Sequence, residues 1–392
     1  MIEVARPWMG SAEQRAVAEV IASGWVAQGP MVARFEHCIA HTVAARGAVA
    51  VSSATAGLHL ALLVAGVRPG DEVVVPSLSF VATANSVFHA GATPVFADVD
   101  ETTQNVTAAT VAAALSPDTR AVTVVHQGGV PADVEPIRRL CEPLGIAVVE
   151  DAACAIGSTV AGRAVGGGDT PLAVFSFHAR KLLTTGEGGM VVTSDPAYER
   201  RLRALRNHGV DADAYQRHAS RSVRRERYVE PAFNYRMTDI QGAIGVEQVA
   251  RLDEMLTRRR FLAERYRRGL ADIGGLVTVT DPPYGRTNFQ SFWITLSDDF
   301  PLGRDDLLDD LAARGIAARR GFMAAHLEPA YARAASRHVH VPLPVTERLT
   351  FQSLILPLHH ELSIDDVDRV VEVIADATAH PRARPRRTAV AR

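Results

Sequence analysis

The lysine Lys181 sits in the run FSFHARKLLTTGEGGMVV, between an apolar strand-like stretch and a glycine-rich turn. About thirty residues earlier another apolar stretch ends in Glu150-Asp151. A lysine among apolar and small residues suits a Schiff base with an aldehyde cofactor, and an aspartate at a strand end suits a protonated pyridine nitrogen. Together they point to pyridoxal phosphate. A carboxylate just past an apolar strand is costly unless it has a cation or donor beside it, although a helix cap or an ion pair would also satisfy Asp151. A third element, SSATAGLHLAL at 52–62, follows an apolar stretch directly. Its small residues, Ala54 and Thr55 among them, open a helix whose free N–H groups and dipole favour a phosphate; capping by Ser53 or Thr55 explains the same pattern. With neither GxGxxG nor a Walker-type lysine in this turn, a dinucleotide or nucleoside triphosphate is disfavoured. Ser176, five residues before Lys181, offers a hydroxyl to the same phosphate, and the glycines at 186, 188 and 189 permit close approach.

These groups need a sheet to hold them. Between 48 and 195, apolar runs at 48–51, 72–76, 93–97, 121–126, 146–150, 172–177 and 190–193 alternate with helical patterns at 55–64, 80–89, 107–115 and 134–144. That alternation predicts an α/β fold with a doubly wound, mainly parallel seven-stranded sheet. A long amphipathic helix at 239–269 leads to strands such as 292–295 and helices such as 304–314 and 364–375, the last opened by Ser363 and acidic residues. We therefore expect a large domain over 1–250, a smaller α/β domain over 251–378, a polar surface excursion near 216–227 and a disordered basic tail over 379–392. Arg258, Arg259 and Arg260 read as a solvated helix face.

With 392 residues and 47% hydrophobic side chains, the chain can fill one large core and a smaller one. A net charge of −2 gives no field for nucleic acid or a membrane surface. The 3 cysteines, Cys38, Cys141 and Cys154, are widely spaced, so neither a disulfide framework nor zinc is expected, and a reducing cytoplasm fits. His326, His338, His340 and the pair His359-His360 match no helical metal motif, and no metal is expected.

The runs SGWVAQGPMVARFE, PSLSFVATANSVFHAGATPVFADVD, EDAACAIGS, FSFHARKLLTTGEGGM, RNHGV and FNYRMTDIQGAIG, in this order, resemble the DegT/StrS family of nucleotide-sugar aminotransferases. The resemblance spans about 7–373 and implies a fold-type-I pyridoxal phosphate enzyme, a homodimer with shared active sites. In that likeness Lys181 carries the cofactor and moves the proton, Asp151 pairs with the pyridine nitrogen, and Ser176, Thr55 and the backbone of Ala54 hold the phosphate. Phe80 stands where the family sets an aromatic ring on the cofactor face, a place where core packing is the alternative. Asn234 resembles the asparagine that reaches the phosphate in the partner subunit. Cys154 replaces the family's usual glutamine, so its contact with the cofactor's 3′-oxygen is weakened or lost. Trp25 and Gln28 resemble the loop that approaches the sugar nucleotide. Arg236 is a candidate for a phosphate or donor carboxylate, and His326 a further substrate-side candidate; each serves equally as packing or an ion pair.

The implied reaction takes the amino group of L-glutamate, leaves the cofactor as pyridoxamine phosphate, and aminates a keto group of a nucleotide-linked deoxysugar, with C4 of a TDP-4-keto-6-deoxyhexose favoured. A C3 aminotransferase and a keto-cyclitol aminotransferase are the alternatives of the same chemistry. A cofactor-dependent sugar dehydratase and a non-catalytic regulator are those of another class. Related dehydratases carry histidine at the position of Lys181, which favours transamination.

Overall fold

The computed structural model describes residues 1–210, 226–333 and 335–379. Only the last two residues of the excursion expected at 216–227 are among them, and the tail expected at 379–392 lies outside them apart from its first residue. Seven strands, β1 (Gly47–Val51), β2 (Glu72–Pro76), β3 (Thr93–Ala97), β4 (Thr119–Val125), β5 (Ala147–Asp151), β6 (Ala173–Ser176) and β7 (Gly189–Thr193), form one sheet in the order β1-β7-β6-β5-β4-β2-β3. The run from β6 through β5, β4 and β2 to β3 is parallel, and β7 is antiparallel to both its neighbours. This is the mainly parallel sheet expected from the sequence.

The helices that precede and cross the sheet are α1 (Ser11–Ser23), α2 (Pro30–Val43), α3 (Ala54–Val64), α4 (Ala82–His89), α5 (Ala108–Ala114), α6 (Val134–Cys141) and α7 (Pro196–Leu205). Strand side chains alternate between faces, so one strand feeds two cores. Val49, Val51, Val73 and Val75 pack with Leu58 and Leu60 of α3, whereas Val74, Val95 and Val122 pack with Val111 of α5 and Ile137 of α6. Ala48, Ala50 and Phe175 meet Phe35 and Ile39 of α2. Continuously apolar strands are the signature of such two-sided burial.

The single helix expected at 239–269 is two, α8 (Asp239–Ala250) and α9 (Leu252–Leu270). Arg251 leaves helical geometry at φ −104° and ψ 4°, and its guanidinium donates to the Trp8 carbonyl at 3.3 Å. A second sheet of β8 (Leu276–Thr278), β9 (Phe292–Leu296), β10 (Arg319–Arg320) and β11 (Ser353–Leu356) runs in the order β8-β9-β11-β10, antiparallel throughout. It is covered by α9, α10 (Arg304–Ala313) and α12 (Ile364–Ala379), with Tyr266 stacked on Phe292 at 4.9 Å, while α11 (Pro344–Gln352) packs Leu349 into the core of the first sheet. Ser363 opens α12 as expected: its hydroxyl accepts the Asp366 amide at 3.0 Å while the Asp366 carboxylate accepts the Ser363 amide at 2.9 Å.

The arginines at 258–260 depart from the expected solvated face. Successive helical residues are about 100° apart, so three in a row cannot share one side. Arg259 is only 8% exposed and donates to the carbonyls of Phe289 and Gln290, each at 2.8 Å. Burial lowers its pKa to about 10.

Candidate active site

Three candidate groups converge where β1, β5 and β6 end. Asp151 is the last residue of β5, not the first beyond it, and its register partner in β6 is Val174. Adjacent strand residues face opposite ways, and the two acidic side chains here have opposite surroundings. Glu150 meets Arg138 at 2.5 Å and His126 at 3.0 Å. Burial alone would push its pKa up, but these two partners hold it below the ordinary value. Asp151, 5% exposed, accepts the Thr83 hydroxyl at 2.8 Å and the Ala153 amide at 3.1 Å. Its pKa is raised because burial outweighs those two donors and the more distant charges of Lys181 and His126. A cationic donor placed against such a carboxylate would favour its ionised form, and among the described residues its hydrogen bonds come from the Thr83 hydroxyl and the Ala153 amide.

Lys181 is the only lysine in the sequence. It lies in a turn after β6, its amide bonded to the His178 carbonyl at 2.9 Å and its Nζ donating to Cys154 Sγ at 2.9 Å. Cys154 is itself three residues beyond Asp151, so the thiol links the two loops that carry the candidate carboxylate and amine. Further along the turn, the Thr184 hydroxyl donates to the Phe177 carbonyl at 3.0 Å and accepts the Gly186 amide at 2.9 Å.

The phosphate candidate is the start of α3. Ser53 is extended, and its hydroxyl accepts the Ala56 amide at 3.1 Å, so the capping reading of this serine holds as well. Among the described residues the amides of Ala54 and Thr55 meet no protein acceptor. Gly189 of β7 passes so close that a Cβ there would stand 2.6 Å from the Ala54 nitrogen. Ser176, buried, ends β6, and among the described residues its hydroxyl accepts only the His178 amide, at 3.4 Å. Open amides at a helix start, a nearby hydroxyl, a buried carboxylate and a lone amine make a donor and acceptor set that fits pyridoxal phosphate.

The other candidates are distributed around this centre. Phe80 precedes α4, which begins at Ala82 and not at 80, and it is 67% exposed, so core packing does not explain it. Trp25 Nε1 donates to the Gln28 carbonyl at 3.1 Å, and this loop is anchored because Asp239 accepts the amides of Gly29, Met31 and Val32 at 2.8, 3.1 and 2.9 Å. The Gln28 side chain is buried with its Oε1 unpartnered among the described residues. Arg236 donates to Asn207 Oδ1 at 2.9 Å, which joins FNYRM to RNHGV, and Asn234 is exposed. His326 sits against the turn after β2, with Nδ1 2.6 Å from Ser77 Oγ and Nε2 3.5 Å from Glu347. Burial lowers its pKa against the pull of Glu347.

Sequence reasoning did not single out Thr83, Asn288 or Gln290. Thr83 lies inside the run PSLSFVATANSVFHAGATPVFADVD, three residues after Phe80. Asn288 and Gln290 belong to no local pattern, and only their distance in space to the Cys154 and Lys181 loops reveals them.

The sequence model of the DegT/DnrJ/EryC1/StrS aminotransferase family matches residues 7–375. Among solved structures, the aminotransferase TlmJ from Streptoalloteichus hindustanus is 38% identical, covers 98% of this chain and 100% of its own, and superposes with a TM-score of 0.87. DesV from S. venezuelae, solved in complex with a ketimine intermediate, is 34% identical over 94% of each chain with a TM-score of 0.85. DesI, solved in the presence of its TDP-sugar product, is 33% identical over 97% of this chain and 94% of its own, with a TM-score of 0.86.

Proposed function

This chain belongs to the DegT/DnrJ/EryC1/StrS aminotransferase family and is a pyridoxal-phosphate-dependent sugar aminotransferase; from that premise we propose that it moves the amino group of L-glutamate to C4 of TDP-4-keto-6-deoxyglucose. The observation that carries the assignment of roles is the meeting of a sole lysine, a buried carboxylate with a raised pKa and open helix-start amides at the ends of neighbouring strands.

Pyridoxal phosphate supplies an electron sink and a carrier for the amino group. In our reading the amides of Ala54 and Thr55 and the hydroxyl of Ser176 bind its phosphate. Asp151 accepts the pyridine N–H, and Thr83 keeps that carboxylate turned toward the ring. The exposed ring of Phe80 covers one face. The Lys181 amine takes the proton from the substrate carbon and returns it on the cofactor side. Cys154, a thiol where the family resemblance places glutamine, would offer a weak contact to the cofactor's 3′-oxygen, and in this structure it accepts the lysine amine at 2.9 Å. Trp25, Gln28 and Arg236 line the approach of the nucleotide sugar. His326, committed to Ser77 and Glu347, we assign to packing.

We propose a homodimer, in which exposed Asn234 reaches the phosphate held by the partner subunit, a large domain over 1–250 and a small one over 251–378. Among the described residues no helix is long and apolar enough to cross a membrane, and the cytoplasm is the proposed location. The likeness to DesI, solved in the presence of its TDP-sugar product, supports the nucleotide, and we propose a role in assembling a deoxysugar for a glycosylated natural product or surface glycan.

The test is product identification. Enzyme supplied with pyridoxal phosphate, L-glutamate and TDP-4-keto-6-deoxyglucose should yield a sugar whose NMR spectrum places the amine at C4, with one 2-oxoglutarate per sugar. Turnover only with the 3-keto isomer, or only with a keto-cyclitol, would replace the substrate while keeping the chemistry.

A further inference from the structure

The two peptide groups that flank Lys181 are held by one side chain from the segment that leads into the second sheet. Gln290 Oε1 accepts the Leu182 amide at 2.7 Å, and Gln290 Nε2 donates to the Arg180 carbonyl at 2.9 Å. The carboxamide thus pairs with the backbone on both sides of residue 181 as a neighbouring strand would. Only a side chain with both a donor and an acceptor on one planar group can do this; a carboxylate can only accept, and an ammonium or guanidinium can only donate. Fixing both peptides limits φ and ψ at Lys181 and so sets the direction in which its amine leaves the backbone.

Gln290 is itself fixed. Its own amide is bonded to Asn288 Oδ1 at 2.7 Å, and its carbonyl accepts Arg259 Nη2 at 2.8 Å. Asn288 Nδ2 in turn donates to the carbonyls of Cys154 and Ile156, at 2.9 and 2.8 Å, in the loop that follows Asp151. The Asn288 amide is bonded to Ser158 Oγ at 3.0 Å, and that hydroxyl donates to the Gly129 carbonyl at 2.7 Å. Gly129, at φ 99°, leaves room for this strap, since a Cβ there would collide with Asn288 Oδ1. Residues 288–290 therefore grip both the loop after the candidate carboxylate and the turn of the candidate amine, from a segment that continues directly into β9.

We infer that Gln290 is a positioning residue for Lys181, bracketing its backbone so that the amine is aimed at the reacting carbon, with Asn288 and Arg259 holding the bracket in register. This rests on the role proposed above for Lys181. It predicts an effect on the rate of proton movement, not on substrate affinity, because Gln290 reaches the lysine's backbone and not the substrate. Loss of aim by a fraction of an ångström is enough for a fold-change of ten to a hundred, as an order of magnitude.

The experiment compares the wild type with Gln290→Met, which keeps the length but neither bond, and Gln290→Glu, which keeps only the acceptor. In cofactor-free protein, amide exchange at Leu182 should quicken about tenfold or more in Gln290→Met and stay near wild type in Gln290→Glu. With pyridoxal phosphate bound, kcat should fall by about 10- to 100-fold in Gln290→Met and less in Gln290→Glu, with KM for either substrate within about threefold. Unchanged exchange at Leu182, or a kcat within about twofold of wild type in Gln290→Met, would overturn the inference. If Gln290→Met does not fold, Gln290→Glu decides alone: it must keep protection at Leu182 and still lose kcat. A wild type that ignores glutamate while the exchange pattern holds would instead bring down the proposed reaction and leave the bracket standing.

Discussion

The Thr83 hydroxyl donates to Asp151 Oδ2 across 2.8 Å, tying the first turn of α4 to the end of β5. Ser79 Oγ lies 3.0 Å from Thr83 Oγ1, so a short chain of hydroxyls leads from the turn after β2 to the carboxylate. The arrangement orients Asp151 without neutralising it.

Without cofactor, that carboxylate is a burden on the fold. Its folded pKa is raised above the ordinary 3.8, so its contribution to stability is complete below that value and is lost as pH rises through the folded pKa. Asp151→Asn in cofactor-free protein should therefore melt higher than wild type at neutral pH, and the gap should close toward pH 3.8. The same variant should lose about a hundredfold or more in kcat, since the pyridine nitrogen loses its anionic partner. Melting curves across pH and steady-state rates check both halves; a variant that is less stable at neutral pH would contradict the charge argument.

Arg259 is predicted to be structural. Arg259→Met leaves two carbonyl groups, those of Phe289 and Gln290, without their donor and should cost about 2–4 kcal/mol in urea unfolding. A loss below about 0.5 kcal/mol would mean that water replaces the guanidinium.

His59 gives a pH signature that is independent of the active site. It packs against Phe233 at 4.8 Å between ring centroids, and burial, helped by the neighbouring His89, lowers its pKa from 6.5 to about 4. The unfolded chain takes up that proton first, so stability from this residue is complete above pH 6.5 and declines as pH falls toward about 4. Replacement by a residue that does not titrate, His59→Phe, should flatten the fall in melting temperature over this interval. An unchanged slope between pH 6.5 and 4.5 would contradict the assignment, because Glu36, whose buried carboxylate Arg206 and Arg203 hold below the usual range, loses its contribution only below 4.5.

Most of what positions the site could be read from the sequence because it is local. An apolar run followed by small residues and Ser53 fixes the start of α3, and by chain geometry alone Asp151 ends a strand and Lys181 follows one. The sheet order, the antiparallel β7 and the partners of Lys181 depend on contacts between distant segments. Arg259 is such a case: composition makes three arginines look solvated, while helical geometry turns one of them inward onto 289–290. The break at Arg251 is a similar case, since the amphipathic pattern continues through it and contacts with the distant Trp8 and Glu13 mark the bend. Gln290 carries no local signal at all.

The sole lysine makes the central claim open to one spectroscopic measurement. Purified wild type and Lys181→Ala, each supplied with pyridoxal phosphate, are followed by visible absorption before and after L-glutamate. The account predicts a yellow band in the wild type that bleaches with glutamate and returns with 2-oxoglutarate, and no such band from a bound lysine in Lys181→Ala. A wild-type band that glutamate leaves unchanged, or an identical band and response in Lys181→Ala, would contradict it.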